Sequence, residues 1–252
     1  MTALQAHQPG LPAARPAAGQ IAIGAEQAKA VVRKIDTEFL ELRRHKARLW
    51  REHPKYLSAV YELRDLLSSL RRHRENASGR ELDVNATRER LLGFLGRLPS
   101  RSDLEMTCRL SKAAIETKPK RDHLGLCIGR LVDSFPNARA HQPDMYRENL
   151  VHLAGKDGHS AQVVAEACDD LMRAEGQTFL PAPSEFLEAC SKAARSIETG
   201  WRADWRTLDV RLGAEFELAQ LPAAEDGATF LAPADIDDTL APPPEPQRSA
   251  FV

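Results

Sequence analysis

Apolar residues recur at three- and four-residue spacing along most of the chain, the period of helices that bury one face. Over 25–51 the stripe is Val31, Ile35, Phe39, Leu42 and Leu49. His53-Pro54 interrupts it, because the residue before a proline avoids helical geometry. The pattern resumes over 55–75 with Tyr56, Val60, Leu63, Leu67 and Leu70. Two long amphipathic helices joined by so short a link predict an antiparallel hairpin. The run of heptads is too short to demand a coiled coil.

Further along, Leu91, Leu92, Phe94, Leu95 and Leu98 predict a helix over 84–98, stopped by Pro99. Ser102 followed by Glu105 has the spacing of a capping box and predicts a helix over 103–116. Lys118-Pro119 opens another that ends at Phe135-Pro136, and Pro143 suits the first turn of a helix over 143–155. Ser160 is a cap for 161–175, and Gly176 a stop. The turn Phe179 to Ser184 leads into a last helix running to about 220, with Gly200 as a candidate bend. No strand pair or internal repeat is found. The expectation is an all-α chain: a disordered leader (1–22), a long N-terminal helical hairpin (23–78), a compact multi-helix domain (80–220) and a disordered acidic, proline-rich tail (221–252).

Composition narrows the classes. Of 252 residues, 42% are apolar, enough for a core, and only 6% are aromatic, which suits helices packed by Leu and Ala. No apolar run has the length of a membrane span. Pro9, Pro12 and Pro16 break any signal-peptide stretch, so a cytoplasmic protein is expected. Cys108, Cys127, Cys168 and Cys190 form no CxxC pair and sit in apolar helical contexts, as small buried hydrophobes do. The eight histidines have no metal-site spacing, and no phosphate-cradling glycine loop occurs. Asp169-Asp170 reads as a solvated acidic turn. No catalytic motif, metal or cofactor is expected.

Charge is unevenly spread. Residues 1–125 hold 24 Lys+Arg against 15 Asp+Glu, a net of +9, and residues 126–252 hold 11 against 21, a net of −10. The basic candidates for a nucleic-acid contact are Arg43, Arg44, Lys46, Arg48, Arg51, Arg71, Arg72 and Arg74. A solvated helical face explains the same residues. Trp201 and Trp205 share one helix face, either covering a core or forming a partner contact. Phe230, Leu231, Ile236 and Leu240 are apolar points in the acidic tail that a partner could order.

Between Leu124 and Arg195 the order is an apolar helix, Phe135-Pro136-Asn137, Pro143-Asp144-Met145-Tyr146, a helix with Val163-Val164-Ala165-Glu166-Ala167, then Phe179-Leu180-Pro181 and Pro183-Ser184-Glu185-Phe186. This plan resembles the small helical domain of phage helicase loader-inhibitor proteins, from phage and prophage replication modules. It covers about 70 residues and leaves the basic hairpin and both tryptophans outside. The resemblance implies a non-enzymatic DNA-replication accessory protein that binds a replicative helicase. With the charge split, it gives an adaptor that holds DNA at its basic half and a replication protein at its C-terminal half. The alternative is a homo-oligomeric structural or regulatory scaffold built on the hairpin, with no nucleic acid. Phe135, Tyr146, Val163 and Phe186 are expected to converge on one core.

Overall fold

The structure, a computed structural model, describes residues 29–30, 33–75, 83–135, 142–174, 179–222 and 237–244. Among these residues there are helices and no strand. After a helical stretch at 33–38 come α1 (Glu41–Glu52), α2 (Tyr56–Glu75), α3 (Val84–Leu95), α4 (Arg101–Glu116), α5 (Arg121–Asp133), α6 (Pro143–Lys156), α7 (Ala161–Arg173) and α8 (Pro183–Gln220). A single 3-10 turn, Asp238–Leu240, follows. No described helix is long and apolar enough to cross a membrane.

Most boundaries follow the local signals. Asp83 caps α3 through Ala86 N and Ser160 caps α7 through Val163 N. Pro143 and Pro183 lie in the first turns of α6 and α8. Gly158, at φ 75°, adopts the left-handed conformation that ends the α6 segment. Two boundaries differ from expectation. The stripe over 25–51 is not one helix: the chain turns at Phe39-Leu40 before α1, and both residues are buried. The cap of α4 is Ser100, two residues before the predicted Ser102. The Ser100 hydroxyl accepts from Asp103 N at 3.1 Å and donates to the Asp103 carboxylate at 2.6 Å.

The first two helices do not form the predicted hairpin. α1 packs on α4, whereas α2 packs on α8 and α3. Their apolar faces are satisfied by later elements, and only their adjoining ends meet, where Trp50 lies edge-on to Tyr56 at 5.5 Å. The spine of the molecule is α8, unbroken over 38 residues. At about 1.5 Å per residue it is some 57 Å long. Its first half closes a core with α5, α6, α7 and the segment around Ile35 and Phe39. Phe135, Val163 and Phe186 meet there, with Tyr146 against them, as the sequence suggested. The last turns of α8 close a second cluster with α2 and α3 through Ala214 and Leu218. Between the two, α4 runs antiparallel to α8, with Leu104 beside Leu208 and Leu212, and Cys108 beside Trp201.

α8 continues through Gly200 without a break, and the residue has a use in packing. A methyl group there would stand 2.6 Å from Lys46 Nζ, so the missing side chain lets the lysine cross the helix. All four cysteines are free and buried. Burial pushes the Cys108, Cys127 and Cys190 thiols up to about 12, and the Cys168 thiol well above its ordinary value.

Candidate functional site

The cleft between α4 and α8 holds a piece of the tail. Trp201 is wholly buried and Leu240 nearly so, at 5% exposed, and the two pack with Cys108 and the flank of Trp205. A buried indole N–H needs an acceptor, and here Trp201 Nε1 donates to Leu240 O at 2.9 Å. Lys112 Nζ donates to the preceding carbonyl, Thr239 O. The segment is also folded on itself. Asp237 accepts from Thr239 N at 3.0 Å and from the Thr239 hydroxyl at 2.6 Å, and Leu240 N donates to Asp237 O at 2.9 Å. Those bonds to Thr239 hold the Asp237 carboxyl below its ordinary value, helped by the cations of Arg109 and Lys112. Residues 237–244 are therefore not the disordered tail that composition predicted. An apolar anchor and two held carbonyls fix this stretch on the helices.

Beside the cleft lies a buried charge cluster. Asp204, one turn beyond Trp201, pairs with Lys46 at 3.0 Å and accepts from the Tyr56 hydroxyl. Burial raises the Asp204 carboxyl above its ordinary value against the pull of Lys46, and pushes Tyr56 up to about 12. A second cluster gathers on Arg43, which reaches Glu166 and Asp169 of α7, with Asp170 at 2.9 Å. Asp169 is 4% exposed and also pairs with Arg173 at 3.1 Å. The expected solvated turn at Asp169-Asp170 is instead the anchor point of α1 on α7.

Half of the proposed nucleic-acid residues are thus engaged within the fold. Arg43 and Lys46 meet carboxylates of the C-terminal half, Arg74 pairs with Glu217, and Arg48 pairs with Asp103 at 2.6 Å. Arg44, Arg51, Arg71 and Arg72 are exposed, and no carboxylate among the described residues pairs with them. On the outer face of α2, Arg64 and Arg72 share a surface with Tyr61, which is 70% exposed beside a groove of about 540 Å³ against α8. Of the proposed partner contacts, Trp201 and Leu240 are buried against each other, so Trp201 takes the first of its two readings, covering a core, and Leu240 is ordered by this chain itself. Trp205 is half-buried in the same cluster, and Phe230, Leu231 and Ile236 lie outside the described residues. The sequence reading missed Cys108 and Lys112 as the other walls of the cleft. Their four-residue spacing, with a small apolar residue and then a cation, was the available signal. Among the described residues no three His, Cys, Asp or Glu side chains cluster as a metal site would. Compared with protein-family models, curated proteins and solved structures, the chain matches none.

Proposed function

We propose that this chain is a non-catalytic adaptor that works by protein–protein contact. The observation behind it is the seating of Leu240 beside Trp201, a helical cleft holding a short stretch of chain by one apolar anchor and two carbonyl bonds. That is the economy of peptide recognition, in which main-chain bonds supply affinity and one pocket supplies selectivity. The resemblance of 124–195 to phage loader-inhibitor domains supplies a setting, DNA replication, and a partner class, a replicative helicase. Crosslinking the full chain in its native cells tests the reading. Links from Lys112 to another protein are expected, and links confined to the chain itself overturn it.

A second reading has its own observation. Tyr61 exposes an aromatic ring one turn before Arg64, with Arg72 about two turns further along α2, a surface suited to stacking on a base and holding phosphates. Such binding would weaken steeply with salt. Anisotropy of a labelled single strand that responds to Arg64→Glu and Arg72→Glu at physiological salt would favour this reading. Indifference to both changes would remove it.

A further inference from the structure

We propose that the α4–α8 cleft is a receptor for a short acidic turn of a partner protein, anchored by a leucine, and that Asp237–Leu240 is the chain's own stand-in for it. The inference rests on the adaptor reading and gives it a partner chemistry and a means of control.

The cleft recognises little of the tail's particular sequence. Its two donors, Trp201 Nε1 and Lys112 Nζ, take main-chain carbonyls, which any peptide offers. Selectivity comes from two places. The pocket formed by Trp201 and Cys108 accepts a leucine-sized side chain. Asp237 holds the turn by accepting from Thr239 N and the Thr239 hydroxyl, favouring an acidic residue three positions before that leucine, with the cations of Arg109 and Lys112 adding attraction. Thr239 is exposed, so the position before the leucine is read only through its carbonyl. Beyond the anchor, Ala241 and Pro242 are half-buried and Pro243 and Pro244 are exposed, so the footprint is short.

The seat is also separable from the cores that hold the body together. Leu240 belongs to neither of the two large clusters. Fourteen residues separate Pro222 from Asp237. At about 3.3 Å each they reach up to roughly 46 Å. The return from Pro222 to the level of Trp201 is about 30 Å along α8. The connection is long enough for that return, and a tethered occupant has an intramolecular advantage over a free one. A free peptide of equal chemistry loses to it until the tail is weakened or the partner adds contacts elsewhere.

The test uses the full chain and a labelled peptide with the sequence from Ile236 to Pro243. Leu240→Asp removes the chain's own anchor and should bind this peptide at least tenfold more tightly than the unaltered chain. Adding Lys112→Glu, or replacing the peptide's leucine by alanine, should undo the gain. Alkylation of Cys108, mapped by mass spectrometry, gives a second readout. It should speed up in Leu240→Asp and slow again under saturating peptide, while Cys127, Cys168 and Cys190 stay protected and report that the body is folded. Leu240→Ala provides a milder opening, should the aspartate disturb all four thiols. Equal peptide affinity for the unaltered chain and both variants overturns the proposal, as does a Cys108 that stays as protected as the other three. A dimer that dissociates on Leu240→Asp, with no gain in peptide binding, assigns the cleft to a second copy and also overturns it. Peptide binding as expected, with cellular crosslinks confined to the chain, would leave the cleft standing and remove the adaptor reading alone.

Discussion

The indole N–H of Trp201 donates to the carbonyl of Leu240 at 2.9 Å, across 39 residues of sequence and inside a pocket closed to solvent. One bond thus joins the middle of the longest helix to a tail whose composition suggests no structure. Trp201→Phe keeps most of the ring packing and removes the donor. It should cost about 1 kcal/mol, the usual net worth of one hydrogen bond, felt at the tail and not in the core. Limited proteolysis is the measurement: cleavage near Ala241 should accelerate while the helical body persists.

Arg43 has a different standing from its neighbours on the same basic stretch. It answers the carboxylates of Glu166 and Asp169, so Arg43→Ala takes from Glu166 its cation where water is scarce, while Asp169 keeps Arg173. A loss of about 3 kcal/mol is expected, the low end for breaking a buried pair because Arg43 keeps some solvent contact. Arg72→Ala, on an open face, should change stability by no more than about 0.5 kcal/mol. Urea unfolding of the two variants side by side decides whether the arginines divide in this way.

The cap of α4 gives a local comparison. Ser100→Ala removes the side chain that accepts from Asp103 N and should cost about 1 kcal/mol. Ser102→Ala, at the position the sequence favoured, should cost less than half as much. Equal thermal shifts would contradict the geometry.

Acid should act on Asp204 and Asp103 in opposite directions. The Asp204 carboxyl is raised by burial, so the folded chain takes up its proton before the unfolded chain does. Its contribution to stability therefore grows as pH falls through the raised folded value towards the unfolded one. Asp103 is lowered, first by its bond from Ser100, so its contribution is complete above the unfolded value and is lost as pH falls through the folded one. In Asp204→Asn the first trend should vanish and the second remain. Urea midpoints between pH 7 and pH 3 measure both.

Much of the helix pattern was legible because its signals are local. Ser160, Pro143 and Pro183 sit within a turn of the boundaries they set. Pairing was not legible, because it depends on faces far apart in sequence. Leu63 is covered by a cluster that includes Leu218, and no short-range rule prefers that to a neighbour across His53-Pro54. The charge split was visible, yet its use was not. Halves of +9 and −10 attract each other before they attract anything else, and Arg43, Lys46 and Arg74 meet Asp169, Asp204 and Glu217 accordingly. The seat of Leu240 was hidden because a lone leucine among Asp, Pro and Ala has no periodicity to betray it.

The place of α8 in the chain has a consequence for biosynthesis. The apolar faces of α2 and α3 cover each other in part, and Ala214 and Leu218, near the end of the spine, complete the cluster. A nascent polypeptide therefore leaves the ribosome with those faces half covered until some 220 residues have been made. Chains arrested before that point should be the ones that chaperones hold and proteases clear.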